Sequence, residues 1–327
     1  MQTLTGRVGP GAAGRAFTNL ADAVMATLGE AALVETTRLG GEFPGVVAVI
    51  ALGKAGSREM TAGSDLDLMT VYDAAPEAVS AGKGWTADVF NIRFTQKLIA
   101  ALSAHTAEGG LYEVDMRLRP SGSKGPVSVR LSAFEDYYVH EAATWEFKAL
   151  TRARVAWSSD ATFGERVTAA IEAALRRPRP GVDIAHDVRS MRDLMARERK
   201  AQGFWDLKLS PGGLVDAEFV GQFRQLTAAP QGGTLSVSTV AQLGEDTPLA
   251  EAWRMQQRLG QLFACAFDDR PDPEEEPAAF RQRLAEGAGA ADFDTLMVNL
   301  KTVRAAARSA FDQALPPITD GESARSR

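Results

Sequence analysis

VVAVIALGKAGSREMTAGSDLDL, residues 46–68, is the stretch of this chain from which the fold is most directly predicted. Its first seven residues, 46–52, form an unbroken apolar run rich in β-branched side chains, which is typical of a strand buried in a sheet. A second strand is predicted at residues 65–72, after the polar, glycine-containing connection at residues 53–64. The stretch therefore predicts two strands of a mixed sheet joined by a polar loop that contains glycine.

Two carboxylates stand at the start of the second predicted strand. Because side chains alternate along a strand, Asp65 and Asp67 point to one side while Leu66 and Leu68 enter the core. Neighbouring carboxylates repel each other unless a cation lies between them, and Mg²⁺ prefers carboxylate oxygens as ligands. The pair predicts a site for one or two divalent ions; the alternative is an ordinary solvated face of the sheet.

A third strand is predicted at residues 112–118, within LYEVDMRLRP. Its alternation places apolar side chains on one face and, on the other, Glu113, Asp115, Arg117 and Arg119. A carboxylate followed by two guanidiniums suits a metal–polyphosphate site, because arginine binds phosphate oxygens bidentately. Solvent exposure is again the alternative. If this strand lies beside the second one, its carboxylate joins the earlier pair next to two arginines.

Helical periodicity covers most of the remaining sequence. Before residue 160 it predicts helices at 17–39, at 85–104, and from the capping box Ser132–Glu135 onward to Trp157. After residue 160 the predicted helices are at 183–200, 214–228, 248–267, 278–286 and 291–314. The predicted fold class is therefore α+β, with a mixed sheet and its helices in residues 1–160 and an all-helical domain in residues 161–327.

Two segments of the second half are predicted to lack regular structure. Residues 268–277, DDRPDPEEEP, are acidic and broken by proline, which indicates a solvated connector. The tail from Asp320 is predicted to be frayed.

Composition restricts the class of protein. With 36 basic and 42 acidic residues the net charge is −6, which excludes a generally basic nucleic-acid-binding protein. The single cysteine, Cys265, rules out an intrachain disulfide and favours a reducing, cytosolic setting. We find neither a signal peptide in the glycine-rich start nor an apolar run of the roughly 18 residues needed to span a membrane. We therefore expect a soluble cytoplasmic protein that binds neither nucleic acid nor membrane.

The order of these motifs resembles the nucleotidyltransferase superfamily related to DNA polymerase β: Gly53-Lys54, then Asp65-Leu66-Asp67, then a distant strand with Asp115. Longer strings resemble, more narrowly, the glutamine synthetase adenylyltransferase family. They are GKAGSREMTAGSDLDL (53–68), YEVDMRLRPSGSKGPVSV (112–129), HEAATWEFKALTRARVAW (140–157), DVRSMRDLM (187–195) and FWDLKLSPGGLVDAEFVGQF (204–223). That family carries two such units in a longer chain, and EAATWEFKALTRARV and VDAEF are more similar to its carboxy-terminal, adenylylating half.

The resemblance implies a nucleotidyltransferase palm followed by a helical bundle, and it implies a role for each motif residue. ATP, the substrate, would place its triphosphate against Gly53, Lys54, Ser64, Arg117 and Arg119. Asp65, Asp67 and Asp115 would hold two Mg²⁺ ions. Asp115 would also help to remove the proton of the family's nucleophile, a tyrosine hydroxyl of glutamine synthetase. The resemblance also implies control by the PII signalling protein and by glutamine.

The helical half contributes one candidate residue, Lys208, which precedes Gly212-Gly213 and a predicted helix start. A helix N-terminus attracts anions, so Lys208 and this turn are candidates for a phosphate site. The alternative is an ordinary junction between a loop and a helix. Arg152 and Arg154, placed on the predicted long helix, are interpreted as surface arginines whose stems cover apolar area. The alternative is that they face the substrate pocket.

Three functions stay open on these grounds. The first is adenylylation of glutamine synthetase, with phosphorolytic deadenylylation as the reverse-type activity of the same kind of site. The second is nucleotidyl transfer to another acceptor, among which RNA is disfavoured because no basic groove is visible. The third is a non-catalytic regulatory module. The presence of all three aspartates favours an enzyme.

Overall fold

The computed structural model describes Thr3, residues 7–267 and residues 272–316. These residues divide into two compact units, which we call the sheet unit (residues 16–177) and the helical unit (the described residues after 177, with those before residue 16). A mixed sheet with helices, followed along the chain by helices alone, confirms the predicted α+β class.

The strands of the sheet unit are β1 (Gly45–Ala51), β2 (Leu66–Ala74), β3 (His105–Thr106), β4 (Gly109–Gly110), β5 (Val114–Asp115), β6 (Ser128–Arg130) and β7 (Arg154–Ser158). The main sheet is built around β2, which has β1 along one edge and both β5 and β6 along the other. β1 and β2 are antiparallel, from Gly45 opposite Ala74 to Ala51 opposite Leu68. β5 and β6 run parallel to β2, β7 runs antiparallel to β1, and β3 and β4 form a separate hairpin.

The helices of the sheet unit are α1 (Pro10–Gly40, from Ala16 onward), α2 (Gly53–Ser57), α3 (Ala87–Leu102), α4 (Leu131–His140), α5 (Thr144–Leu150) and α6 (Ala161–Leu175). Val49 and Ala51 of β1 share the hydrophobic core with Met25 of α1 and Phe94 of α3. α6 also packs against β1 and β7. Residues 47–51 are consequently all buried, which is why the sequence of β1 has no polar alternation.

The predicted end of the first domain, residue 160, precedes α6. Because α6 packs on strands of the sheet, it belongs to the sheet unit, and the compact units divide at residues 177 and 178. As functional domains, residues 1–160 and 161–327 stay a prediction.

The prediction of one helix from Ser132 to Trp157 is wrong. The segment contains α4, then α5, then the edge strand β7. α5 begins anew because the Glu146 carboxylate accepts the backbone N–H of Ala143 at 2.9 Å, which satisfies a donor at the helix start. After α5 the β-branched and aromatic residues Val155 and Trp157 continue the sheet beside β1.

The third predicted strand is present but reduced to the two residues of β5. The Asp115 carboxylate accepts the backbone N–H of Arg117 at 2.7 Å, which takes away a donor that a longer ladder would use. The strict alternation predicted for residues 112–118 therefore stops after Asp115, and Met116 and Arg119 are both buried.

The helical unit consists of α7 (Gly181–Glu198), α8 (Leu214–Ala228), α9 (Thr239–Leu243), α10 (Pro248–Ala266), α11 (Ala278–Ala288) and α12 (Phe293–Ala314). The predicted helices there are confirmed to within two residues at each end, and the short α9 was not predicted. A buried ion pair joins α7 to α8, since Arg192 donates to the fully buried Asp216. Residues 268–271 of the predicted connector and the tail from Asp320 lie outside the described residues. Within residues 7–267 and 272–316, no helix has the length and apolarity to cross a membrane.

Candidate active site

The sheet brings two of the three predicted carboxylates side by side. In the parallel pair of β2 and β5, Asp67 lies opposite Asp115, so the two side chains leave neighbouring strands, about 4.8 Å apart, at the same register position. Asp65 comes just before β2 and is exposed, whereas Asp67 is half-buried. The condition stated for the sequence, that the second and third strands are neighbours, is met.

Arg117 is the cation that these carboxylates face. Its guanidinium donates to the carboxylate of Asp115, with Nε 2.8 Å from Oδ2, while 79% of its side chain stays exposed. Hydrogen bonding to Asp115 raises the pKa of Arg117, and the charges of Asp67 and Asp65 raise it further. The hydrogen bond with Arg117 in turn lowers the pKa of Asp115. The three carboxylates therefore act on one positive charge, which places them in a common electrostatic site.

Gly53 lies against Asp67 because the end of β1 adjoins the start of β2. The backbone N–H of Leu52 donates to the carbonyl of Asp67 at 2.9 Å, and Gly53 follows with a φ of +53°. A Cβ at position 53 would overlap the Asp67 carboxylate, with Cγ 3.0 Å away and Oδ2 closer still. Glycine is thus needed here both for its left-handed backbone and for space.

Lys54 and Ser64 meet at Thr61. The Lys54 Nζ is 3.4 Å from the Thr61 hydroxyl, and the Ser64 hydroxyl accepts the backbone N–H of Thr61 at 2.9 Å. Ser64 is buried and Lys54 half-buried. The connection between β1 and β2 is therefore ordered by its own polar side chains, which hold Lys54 next to Thr61.

Arg119 is placed differently from the expectation of a phosphate-facing side chain. It is buried, and its guanidinium donates to the carbonyls of Met116 (2.6 Å), Gly125 (3.0 Å) and Pro126 (2.9 Å). Burial lowers its pKa, against the opposing charge of Asp115. The reason is the early end of β5: beyond Asp115 the chain turns, so residues two apart no longer share a face. In this structure Arg119 closes the 116–126 loop.

No group of three or more His, Cys, Asp and Glu side chains is gathered closely enough to hold a metal ion in the described ranges 7–267 and 272–316. The donor set nevertheless fits a hard divalent cation. Asp67 and Asp115 lie opposite each other on neighbouring strands, and the negative charges of both, with that of Asp65, already act on the Arg117 guanidinium. Carboxylate oxygens with room for water are what Mg²⁺ requires.

Comparison with known proteins matches the chain to one family. Residues 2–170 match the family described as glutamate-ammonia ligase adenylyltransferase. The chain belongs to this family. Among curated relatives, the bifunctional glutamine synthetase adenylyltransferase/adenylyl-removing enzyme of Caulobacter vibrioides is 53% identical over 91% of this chain and 32% of its own length. The enzymes so named from Brucella suis and Rhizobium meliloti are each 40% identical, over 96% and 95% of this chain and 33% of their own lengths.

The adenylyltransferase family match covers the sheet unit as far as residue 170, within α6, while the relatives also align with the helical unit. The chain spans about a third of the length of the curated relatives it matches.

Lys208, the candidate of the helical unit, is exposed on a loop whose backbone is tightly fixed. Leu214 and Val215, in the first turn of α8, donate their N–H groups to the carbonyls of Leu207 (2.9 Å) and Lys208 (3.2 Å). The Asp216 carboxylate accepts the N–H of Gly212 at 2.7 Å. These bonds use donors that a bound anion would need, so the structure favours the junction interpretation for the helix start and leaves only the Lys208 side chain as a candidate.

Arg154 is the main residue of this region that sequence reasoning misplaced. It lies on β7 rather than on a helix, only 14% of its side chain is exposed, and it donates to the carbonyls of α2. The interpretation as a surface arginine is therefore wrong. The nearby Arg152 is buried as well and pairs with Glu59 at 3.5 Å. The β-branched and aromatic residues Val155 and Trp157 are the signal that would have assigned this segment to a strand rather than a helix.

Proposed function

We propose that this chain transfers AMP from ATP to a tyrosine hydroxyl of glutamine synthetase and releases pyrophosphate. The observation that carries the proposal is the pairing of Asp67 and Asp115 on neighbouring parallel strands next to Gly53, in a chain of this family. The names of the relatives supply the nucleotide and the acceptor. Residues 141–155 and 215–219 support the adenylylating rather than the adenylyl-removing unit.

Asp65, Asp67 and Asp115 are the residues that would hold Mg²⁺, with two ions expected. When bound, Mg²⁺ supplies positive charge for the triphosphate and lowers the pKa of the attacking hydroxyl. The fit rests on the carboxylate donor set and on its shared attraction for the Arg117 guanidinium.

Lys54, Arg117 and Gly53 are the groups we assign to the triphosphate. Arg117 is free to turn toward phosphate oxygens, because its side chain is exposed and water screens its ion pair with Asp115. Lys54 stands one residue after the glycine that allows the backbone to approach Asp67. We assign Ser64 an indirect role: it fixes Thr61 next to Lys54 and does not itself contact the phosphate.

The role of the Asp115 carboxylate is to attract cations rather than to act as a strong base. Its carboxylate is ionised at neutral pH even with the ordinary aspartate pKa of about 3.9, and the hydrogen bond with Arg117 lowers that pKa in this structure, so the carboxylate is available to attract cations. An ordinary tyrosine has a pKa of about 10, and proton transfer from it to so acidic a carboxylate is strongly uphill. The Asp115 carboxylate can still accept a hydrogen bond from the incoming hydroxyl and orient it for in-line attack on the α-phosphorus.

We also propose that Arg119 maintains the loop that follows Arg117 and that Lys208 contacts phosphate or the base. We further propose that the chain acts in the cytoplasm under the control of PII and glutamine.

The test is transfer of label from α-³²P-ATP to purified glutamine synthetase in the presence of Mg²⁺. We expect labelled tyrosine on the acceptor, and loss of labelling in Asp67→Asn with an unchanged circular dichroism spectrum, because the substitution removes a charge at nearly constant volume. Asp73→Asn, at the far end of β2, is the control and keeps full activity. Full activity of Asp67→Asn would refute the site.

Adenylyl removal is the second candidate, because the relatives are named for both activities. The same enzyme sample is given adenylylated glutamine synthetase with inorganic phosphate, and ADP is measured. Production of ADP without labelling in the forward assay would replace the proposed direction with this one.

A further inference from the structure

Helix α2 is too short to be stable by itself. It has five residues, fewer than the roughly 12–15 that an isolated helix needs in water, so its conformation is imposed from outside. Two of its carbonyls are held by Arg154 of β7, whose Nε donates to Gly56 O at 3.2 Å and whose Nη2 donates to Ala55 O at 2.9 Å. One planar guanidinium thus fixes two consecutive peptide groups of the segment that begins with Gly53-Lys54.

Asp22 of α1 holds Arg154 in turn. Its carboxylate accepts from Arg154 Nη2 and also lies 3.4 Å from Nη1 of Arg58. Arg58 ends α2 with a φ of +61°, and in the described part of the chain only Ser121 shares this left-handed backbone among residues other than glycine. A residue other than glycine keeps this conformation only where its surroundings hold it, and such residues cluster at functional sites.

Asp22 also faces the lead-in to β5. Burial raises the pKa of Tyr112, and the negative charge of Asp22 raises it further. One carboxylate on α1 therefore stands next to the end of α2, to β7, and to the residue three before Asp115.

The backbone beside Arg154 closes the remaining side of α2. A Cβ on Gly56 would overlap the carbonyl oxygen of Arg152, so the two chain segments touch through their main chains. Arg152 pairs with Glu59 just after α2, and only 8% and 11% of these side chains are exposed. Residues 152–154 consequently contact the segment 53–59 in its middle, at Ala55 and Gly56, and at its end, at Glu59.

We propose that Arg154 and Asp22 form a positioning pair that sets the conformation of residues 53–59, and through it the affinity for ATP, without contacting the nucleotide. The inference rests on the proposed function, which assigns Gly53 and Lys54 to the triphosphate. A segment held in its binding conformation loses less entropy when the ligand binds, so the pair strengthens binding by preorganisation. Nothing in the pair reaches the reacting groups; it leaves the rate of the chemical step nearly unchanged.

Three variants of the full chain test the pair: Asp22→Asn removes the charge at nearly constant volume, Arg154→Lys keeps a charge but loses the fork, and Arg154→Met loses both. ATP binding is measured by isothermal titration calorimetry with Mg²⁺, and KM and kcat by label transfer to glutamine synthetase. For Arg154→Met we expect the Kd and the KM for ATP to rise about tenfold, as for loss of a charged hydrogen bond, with kcat within about twofold. Arg154→Lys and Asp22→Asn fall between Arg154→Met and the unmodified chain.

Asp73→Asn is the matched control, because Asp73 pairs with Arg166 at 2.7 Å in the same unit but away from residues 53–59. It leaves the Kd for ATP unchanged. A fall in melting temperature with an unchanged Kd and KM for ATP in the three test variants would show that the pair is only structural. If the Arg154 variants fail to fold, Asp22→Asn decides the question by the same readout.

The outcomes separate this inference from the proposed function. If the unmodified chain binds ATP but labels no acceptor, while the variants bind ATP more weakly, the positioning pair stands and the proposed acceptor reaction falls. If the unmodified chain labels glutamine synthetase and the variants keep its Kd and KM, the pair falls alone. A chain that binds no ATP refutes both.

Discussion

Replacement of Gly53 by alanine tests the close approach between the end of β1 and the Asp67 carboxylate. The new methyl group would stand 3.0 Å from Asp67 Cγ and closer to Oδ2, a separation at which the carboxylate has to move. We expect a displacement of about 1 Å, and a misplacement of that size in a catalytic group costs roughly 10²-fold in rate. The left-handed φ of +53° adds about 1–2 kcal/mol of strain in the folded chain.

Gly84→Ala separates the two effects, because Gly84 has a similar φ of +65° but no atom within 4 Å of a new Cβ. Both variants are expected to lose a similar amount of stability, measured by urea denaturation. In the assay of label transfer from ATP to glutamine synthetase, only Gly53→Ala is expected to lose activity, by about two orders of magnitude. Equal activities of the two variants at saturating ATP would refute the reasoning that Asp67 has to stay where Gly53 allows it to be.

Three further predictions concern charged side chains. Arg117→Met removes the main cause of the lowered pKa of Asp115, so a carbon-13 NMR titration should show that this pKa rises toward its ordinary range. A carboxyl whose pKa is lower in the folded than in the unfolded chain stabilises the fold at pH values above its unfolded pKa. The difference in stability between Arg117→Met and the unmodified chain should therefore vanish as the pH falls through the folded pKa of Asp115. A difference that persists at lower pH would contradict the assignment. Arg119→Met should lower the free energy of unfolding by about 2–4 kcal/mol, since bonds to three carbonyls are lost, whereas a loss of ATP affinity at unchanged stability would restore the phosphate role. Asp216→Asn should destabilise the helical unit by about 3–5 kcal/mol, because it leaves buried arginine unpaired, while Glu286→Gln at an exposed pair should cost about 1 kcal/mol or less in the same urea titration.

The sequence predicts those elements whose stability depends on local pattern. β1 is recognisable because five consecutive residues are buried on both sides of the sheet, and α8, α10 and α12 because their apolar residues recur at helical spacing. The predicted alternation at the start of β2 is also present, since Leu66 and Leu68 are buried while Asp65 is exposed and Asp67 is half-buried. For these elements local preference and tertiary packing agree.

Elements that depend on distant contacts are predicted poorly. Residues 154–158 have helical neighbours in sequence, yet they form a strand because β1 offers them a free edge. Arg119 was expected beside Arg117, and it instead turns inward because the Asp115 side chain ends the strand four residues before Arg119. The carbonyls that occupy the start of α8 come from Leu207 and Lys208, in a loop with no recognisable periodicity. In each case the deciding partner is a backbone group that residue type does not reveal.

The edge strand β7 has a consequence for how the chain acquires activity during synthesis. Arg154 reaches a carbonyl 98 residues earlier in the sequence, so residues 53–59 leave the ribosome long before the arginine that shapes them. β1 and β2 are close in sequence and can pair early. Residues 53–59 reach their final conformation only when β7, which ends at residue 158, has paired with β1. Nascent chains that end before β7 should therefore contain Asp65 and Asp67 and still bind ATP more weakly than the full chain.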